Sequence, residues 1–414
     1  MAPRRKKTDS TEENRLSYGY RDEIDPSIEL LYHPRSLTVL FGIVCYFVWV
    51  CIRKEGTDWV MNWIHGGISV LVIFVWFGML FLPDGPFIRP HPVIWRAILA
   101  ISVLYFMALI ILLHLEKGQA RELLKIFDLK LGVALPEKSY AEDCRFAWDA
   151  IYPQLDMFVT AHVLGWYAKG IILRDYWLCW ILSIMFEVME YSLEHQLPNF
   201  AECWWDHWLL DVAVCNAVGI WAGMRTCEYF QMKTYCWRSI NDIPNVAGKI
   251  QRTAAQFTPH SFMKFEWSGS KNFKGYLISI LLVSLFLICE LDCFYLKYLL
   301  WVPADHWLVS SRVVLYGFMG VVSVREAYQF FTDPKCKRLG AQAWVCLACI
   351  LTETLICFKF SRNEFPNPAP RPVVYFWVVF FLILIIYPLV KFFLFAKDEA
   401  RKRPTTTTTK KKIN

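Results

Sequence analysis

Long apolar runs alternate with short polar stretches through the whole middle of the chain. Ten of these runs are long enough to cross a hydrocarbon core, which takes roughly 20 helical residues. They lie near 36–53, 59–82, 93–115, 155–173, 176–195, 207–224, 275–297, 306–324, 341–360 and 372–396. Helices satisfy their own backbone hydrogen bonds in lipid, so the pattern predicts an all-α polytopic transmembrane bundle of about ten spans. The first and fourth runs are the weakest, being short or interrupted by polar residues. Residues 116–154 are amphipathic and charged, with helix expected around "QARELLKIFDLKL". That stretch is placed to cover a site like a lid or to lie along the interface.

Basic residues then orient the bundle. "PRRKK" opens the chain, eight basic residues against three acidic ones occupy Arg225–Lys274, "DPKCKR" follows the eighth run, and "KDEARKRP" and "KKKIN" close the chain. An even number of spans puts all of them on one side, the cytosol, together with both termini. Residues 1–35 read as a disordered basic tail, 36–396 as the membrane domain, and 397–414 as a second cytosolic tail. No N-terminal signal peptide is visible. The final "KKIN" has the spacing of a dilysine signal read by a retrieval receptor of the endoplasmic reticulum; anionic lipid is the plainer partner for such a tail. The composition, 56% hydrophobic and 17% aromatic, demands lipid as the main solvent, and nothing suggests nucleic-acid binding. Fourteen cysteines sit mostly in apolar runs as small packing residues, with no zinc spacing. Cys144 and Cys203 fall in loops on one side, so a disulfide between them stays open.

One stretch breaks the apolar texture. "FEVMEYSLEHQLPNFAECWWDHWLLDVAVCN", Phe186–Asn216, carries Glu187, Glu190, Glu194, Glu202, Asp206 and Asp211. Glu187, Glu190 and Glu194 stack on one helix face near its lumenal end. A carboxylate near mid-membrane costs ~2.5–3.5 kcal/mol on insertion scales, and no Lys or Arg lies between Tyr176 and Met224. A divalent cation held by Glu187, Glu190, Glu202 and Asp206 would supply the missing charge. All-oxygen ligands at a lumenal site favour Ca²⁺. A partly protonated, water-filled vestibule is the plainer account.

His162 in "LDMFVTAHVLGW" matches the depth of Glu187 and Asp211, whereas Asp156 is too far along to be its same-face partner. An imidazole beside a carboxylate-bound cation can activate a hydroxyl against a phosphodiester. Asp211 and Asn216 are candidates to orient the phosphate or hold an ammonium. Trp204 and Trp205 are candidates to stack on a quaternary ammonium, though interfacial tryptophans commonly anchor helix ends. Arg312 is expected to pair with Glu353 or Glu290 inside the bundle.

The strings "LPNFAECWWD", "HVLGW", "RPHPVIWR", "QFTP" and "CKRLG" resemble the metazoan base-exchange phosphatidylserine synthases, over about Arg15–Leu394. The resemblance implies a calcium-dependent exchange in which L-serine replaces the choline or ethanolamine of phosphatidylcholine or phosphatidylethanolamine. It implies a place in the endoplasmic reticulum or mitochondria-associated membranes. It marks His162, Glu187, Glu190, Asn199, Glu202, Asp206, Asp211 and Asn216, and passes over Glu194. His162 as general base or as nucleophile stays open. The family's inhibition by its own product suggests a cytosolic lipid site at Arg96 and Arg325, with ordinary positive-inside anchoring as the alternative. Neither a P-loop nor the DGxxAR…GxxxDxxxD pattern of CDP-alcohol phosphotransferases occurs. A cation-coupled transporter using the same carboxylates is the rival from another class; a homodimer is compatible with either.

Overall fold

A computed structural model describes residues 42, 46, 59–87, 92–134, 141, 143–152, 157–231, 243–250 and 264–395. The first apolar run apart from two positions, both tails with "KKIN", Asp156 and "QFTP" lie outside the described residues. Every regular element among the described residues is helical. In chain order these are α1 (Trp59–Phe81), α2 (Pro92–His114), the short α3 (Lys117–Leu124) and α4 (Trp148–Ile151), α5 (Met157–Leu173) and α6 (Tyr176–Leu193). After a 3₁₀ turn at Pro198–Phe200 and a π-helix at Asp206–Asn216 come α7 (Ala217–Gln231), α8 (Phe273–Leu300), α9 (Trp307–Thr332), α10 (Ala341–Phe360) and α11 (Arg371–Pro388). A second π-wound stretch, Leu389–Phe395, extends α11.

Nine of the ten apolar runs therefore correspond to helices, with ends within a few residues of those expected except at the sixth, which α7 carries on to Gln231, and at the eighth. There α9 continues to Thr332, so Arg325 lies on the helix and not in the loop after it. Seven stretches are long and apolar enough to cross a membrane: Ile64–Phe81, Pro92–His114, Asp206–Phe230, Phe273–Leu300, Trp307–Thr332, Ala341–Phe360 and Arg371–Phe392. The two that fall short are α5, which is 17 residues long, and α6, whose 18 residues include Glu187 and Glu190. In the stretch after α2, the described residues form α3 and the single turn α4. Arg121 anchors α3 to α8, donating to the Leu299 carbonyl at 2.7 and 3.0 Å and lying 3.3 Å from the Trp301 ring centroid.

Two apolar cores hold the bundle. One joins α2, α3, α8, α9 and α10 around Leu299, Met319, Cys349 and Ile356. The other joins α5, α6 and α7 to α8 and α9 around Leu182, Ile220 and Phe265. Helices α8 and α9 belong to both and weld them together. The cysteines in these cores are free and mostly buried, in keeping with a packing role.

Helices α5 and α7 touch backbone to backbone along the glycine pair of "GIWAG". A Cβ on Gly219 would lie 2.6 Å from the Val163 carbonyl oxygen, and one on Gly223 2.7 Å from that of Tyr167. This is the small-xxx-small packing that lets membrane helices approach closely. One end of the seam lies beside His162. Helix α6 starts on Asp175, whose side chain accepts from the Trp177 and Leu178 amides at 3.0 and 3.1 Å.

Two ion pairs lie inside the bundle away from Glu187 and Glu190. Arg312 donates from Nε to Glu353 at 3.0 Å and from Nη2 to the Cys289 carbonyl at 2.9 Å, and the Tyr105 hydroxyl donates to the same carboxylate. Glu353 is fully buried. Glu290, the other candidate partner for Arg312, instead receives Lys169 at 2.6 and 2.8 Å. Removing one side of a buried pair strands the other, at a cost of ~3–5 kcal/mol. Arg312→Met is thus expected to lower the thermal unfolding midpoint in detergent sharply. Adding Glu353→Leu should recover most of the loss in the same measurement.

Candidate active site

Three segments converge at one end of α6. The helix contributes Glu187 and Glu190, one turn apart; the connection after it contributes Glu202; the π-helix contributes Asp206, His207, Asp211 and Asn216. Glu187, Glu190, Asp206, His207, Asp211 and Asn216 are all buried. The carboxylates expected to gather do so, and their focus is an imidazole. His207 Nδ1 lies 2.9 Å from Glu187, 3.5 Å from Glu190 and 3.8 Å from Glu202, measured to the nearer carboxylate oxygen. Glu194, at the end of α6, points away and is exposed.

The winding of the π-helix explains how its polar residues share a face. Asp206, Asp211 and Asn216 are spaced by five. In an α-helix that spacing spreads side chains around the axis, whereas a π-helix bonds i to i+5 and brings residues five apart nearly into line. All three are at most 8% exposed. Asp211 meets His162 across the α5–α7 seam, with His162 Nδ1 2.9 Å from Asp211 Oδ1. The His162 side chain is 40% exposed while that of Asp211 is 6% exposed. A reachable imidazole is thus oriented by a buried carboxylate, and its Nε2 is left for chemistry. Glu187 and Glu190 both act electrostatically on His162, so the imidazole belongs to the acidic cluster.

Asn216, at the far end of the π-helix, donates to Ser183 Oγ at 2.9 Å, and its Oδ1 is buried without a hydrogen-bond partner. Asn199 sits in the 3₁₀ turn between α6 and Glu202. Trp204 is 53% exposed and packs on Phe146 with ring centroids 5.9 Å apart. Trp205 is 1% exposed, which removes it from the surface a choline group could reach; its role here is packing. A disulfide joins Cys144 to Cys203 and ties the segment before α4 to the acidic turn, beside Glu202. Burial, and then the Glu190 carboxylate, push the Glu202 carboxyl up to about 9.

Glu187, Glu190 and His207 each present an atom within 4.8 Å of the others, a spacing that suits one divalent ion. With Glu202 and Asp206 beside them, negative groups outnumber positive ones, so the residues fit a cation. The sequence reading missed His207. The signal for it was present, since it follows Asp206 directly and occupies the one stretch where a counter-charge had been sought. Five-residue spacing from Asp206 to Asn216 was likewise the visible mark of the π-helix.

Away from this site, Arg96 donates to Asp84 at 2.6 and 2.8 Å and to the Met79 and Leu80 carbonyls at 3.2 Å, closing the end of α1. It is 7% exposed. Arg325 acts electrostatically on Arg174, the buried residue between α5 and α6.

The family model described as Phosphatidyl serine synthase matches residues 90–361, which contain the whole site. Phosphatidylserine synthase 2 of Danio rerio is 41% identical over 380 residues, covering 89% of this chain and 84% of that protein. Its Homo sapiens counterpart is also 41% identical over 380 residues, covering 89% and 78%. CDP-diacylglycerol–serine O-phosphatidyltransferase 2 of Oryza sativa is 37% identical over 384 residues, covering 88% and 91%. All three names describe transferases that make phosphatidylserine, and both the matched span and these identities extend across the imidazole–carboxylate site. The chain belongs to the phosphatidylserine synthase family and is a transferase that joins serine to a phospholipid.

Proposed function

We propose that this transferase works by base exchange: L-serine displaces choline or ethanolamine from an existing phospholipid, with Ca²⁺ in the carboxylate cluster. The observation that carries the reading is the His162–Asp211 pair at 2.9 Å, set against buried carboxylates. Asp211 accepts from Nδ1 and fixes the tautomer, as in other carboxylate-backed histidines. His162 Nε2 then takes the proton of the serine hydroxyl as its oxygen attacks phosphorus. The same proton passes to the departing amino alcohol. One phosphodiester bond is broken and a similar one made, so no nucleotide is consumed. A cation held by Glu187, Glu190, Glu202 and Asp206 supplies charge for the phosphate oxygens.

The disulfide beside the acidic turn supports a site on the oxidising, lumenal side of the membrane. The clustering of Lys and Arg on the other side agrees with that orientation and with cytosolic termini. An endoplasmic reticulum membrane, with retrieval through "KKIN", completes the proposal. Arg96 and Arg325 as a cytosolic regulatory lipid site remain part of it only as far as Arg96 can leave Asp84.

A second reading has a specific observation behind it. The plant relatives are named for CDP-diacylglycerol as donor, at 36–37% identity. Against it, the residue pattern of CDP-alcohol phosphotransferases is missing here. Purified protein in detergent, given labelled serine, separates the two. Label is expected to enter phosphatidylserine from phosphatidylcholine or phosphatidylethanolamine without nucleotide, and to stop with a calcium chelator. Label entering only from CDP-diacylglycerol, with CMP released, would establish the second reading instead.

His162→Ala is expected to lower the exchange rate about 10²–10⁴-fold; retention of more than a tenth would remove histidine from the mechanism. Because the raised Glu202 carboxyl must lose its proton to meet a cation, protons and calcium compete there. The calcium needed for half-maximal exchange should therefore fall as pH rises toward about 9, and a flat requirement would remove Glu202 from the cation site.

A further inference from the structure

We infer that His207 is a positioning residue: its Nδ1–H donates to Glu187, with Glu190 and Glu202 close by, and sets the spacing of the carboxylates for a cation, without ligating that cation. The inference rests on the calcium-dependent reading above. Geometry supports it first. Nδ1 faces Glu187 at hydrogen-bond distance, 2.9 Å, with Glu190 and Glu202 next at 3.5 and 3.8 Å. Those three carboxylates come from two different segments, so the ring sits between α6 and the connection that follows it, bonded to Glu187 of the helix. The ring is fully buried and lies against Tyr191, ring centroids 4.3 Å apart, which holds its orientation.

The second ring nitrogen decides between donor and ligand. A histidine that ligates a metal through one nitrogen almost always gives the N–H on the other to a carboxylate, carbonyl or water. His207 Nε2 is buried and has no hydrogen-bond partner among the described residues. A proton there would leave a buried N–H unmet, at the full desolvation penalty of that group. The tautomer with hydrogen on Nδ1 avoids this and leaves only a bare lone pair at the buried Nε2. In that tautomer Nδ1 has no lone pair to offer a cation. The carboxylates keep their remaining oxygens and lone pairs for it.

Substitution at one position tests this in the full-length protein, by titrating calcium in the serine-exchange assay. His207→Leu and His207→Ala delete the donor. His207→Asn and His207→Gln keep an N–H donor with shorter and longer reach, but lack the imidazole. Thermal midpoints measured in chelator identify which variants are folded, and one folded variant from each pair suffices. The rise of the midpoint with added calcium reads cation binding apart from activity, and it is expected to need more calcium in the donorless variants. Loss of the donor is expected to raise the calcium for half-maximal exchange at least tenfold, more than it lowers the rate at saturating calcium. At least one amide variant should recover most of that shift. An unchanged calcium requirement in the donorless variants would overturn the inference. So would amide variants as impaired as the donorless ones, since a ligating imidazole predicts that result. A wild-type protein that exchanges serine without calcium would instead sink the cation reading itself, before any variant is compared.

Discussion

Burying negative charge in a helical bundle is what the rest of this architecture answers to. Glu187, Glu190, Asp206 and Asp211 are nearly removed from solvent, and Glu202 stands beside them. An isolated carboxylate in such surroundings carries a penalty of several kcal/mol. The chain meets it with imidazoles and not with Lys or Arg: His207 at the centre of three carboxylates and His162 against Asp211. Elsewhere it solves the same problem differently. Glu353 is matched by Arg312, and Glu290 by Lys169. A guanidinium or ammonium in the acidic cluster would stay charged at any working pH, whereas an imidazole can gain or lose its proton beside the carboxylates.

Two backbone features make that arrangement geometrically attainable. Glycines at 219 and 223 bring α7 against α5 until their main chains meet, and Asp211, on the π-helix that leads into α7, reaches His162 on α5 at 2.9 Å. The π-winding of Asp206–Asn216 turns three polar residues, five apart, toward the same interior. Both features carry a cost. Glycine weakens a helix, and π-winding is rare outside functional sites. Here they coincide at one helix pair, and the disulfide to Cys144 restrains the turn that precedes it.

On the proposed reading, proton transfer and cation binding would be separated in space but share one helix. Asp211 lies against the exposed His162, and His207 lies against the carboxylates of α6. A change in the π-helix would move both. His162 of α5 and Glu187 of α6 both face the π-helix, Lys169 of α5 reaches Glu290 on α8, and apolar residues of α5 and α6 pack in the second core.

The sequence alone determined the helical bundle, nearly all of its helix ends, and the identity of the acidic residues, because each of these follows from local composition. A run of apolar residues either does or does not reach across a bilayer, and a carboxylate among them is conspicuous wherever it lies. Linear order could not reveal which groups meet. Asp211 as the partner of His162, Glu290 as the partner of Lys169, the burial of Trp205 and the central place of His207 arise from contacts between residues up to 121 positions apart. They depend on how closely two helices approach and on how one of them is wound. Those are properties of packed backbones, set by glycine contacts and an i to i+5 ladder, and they exist only once the chain has folded on itself.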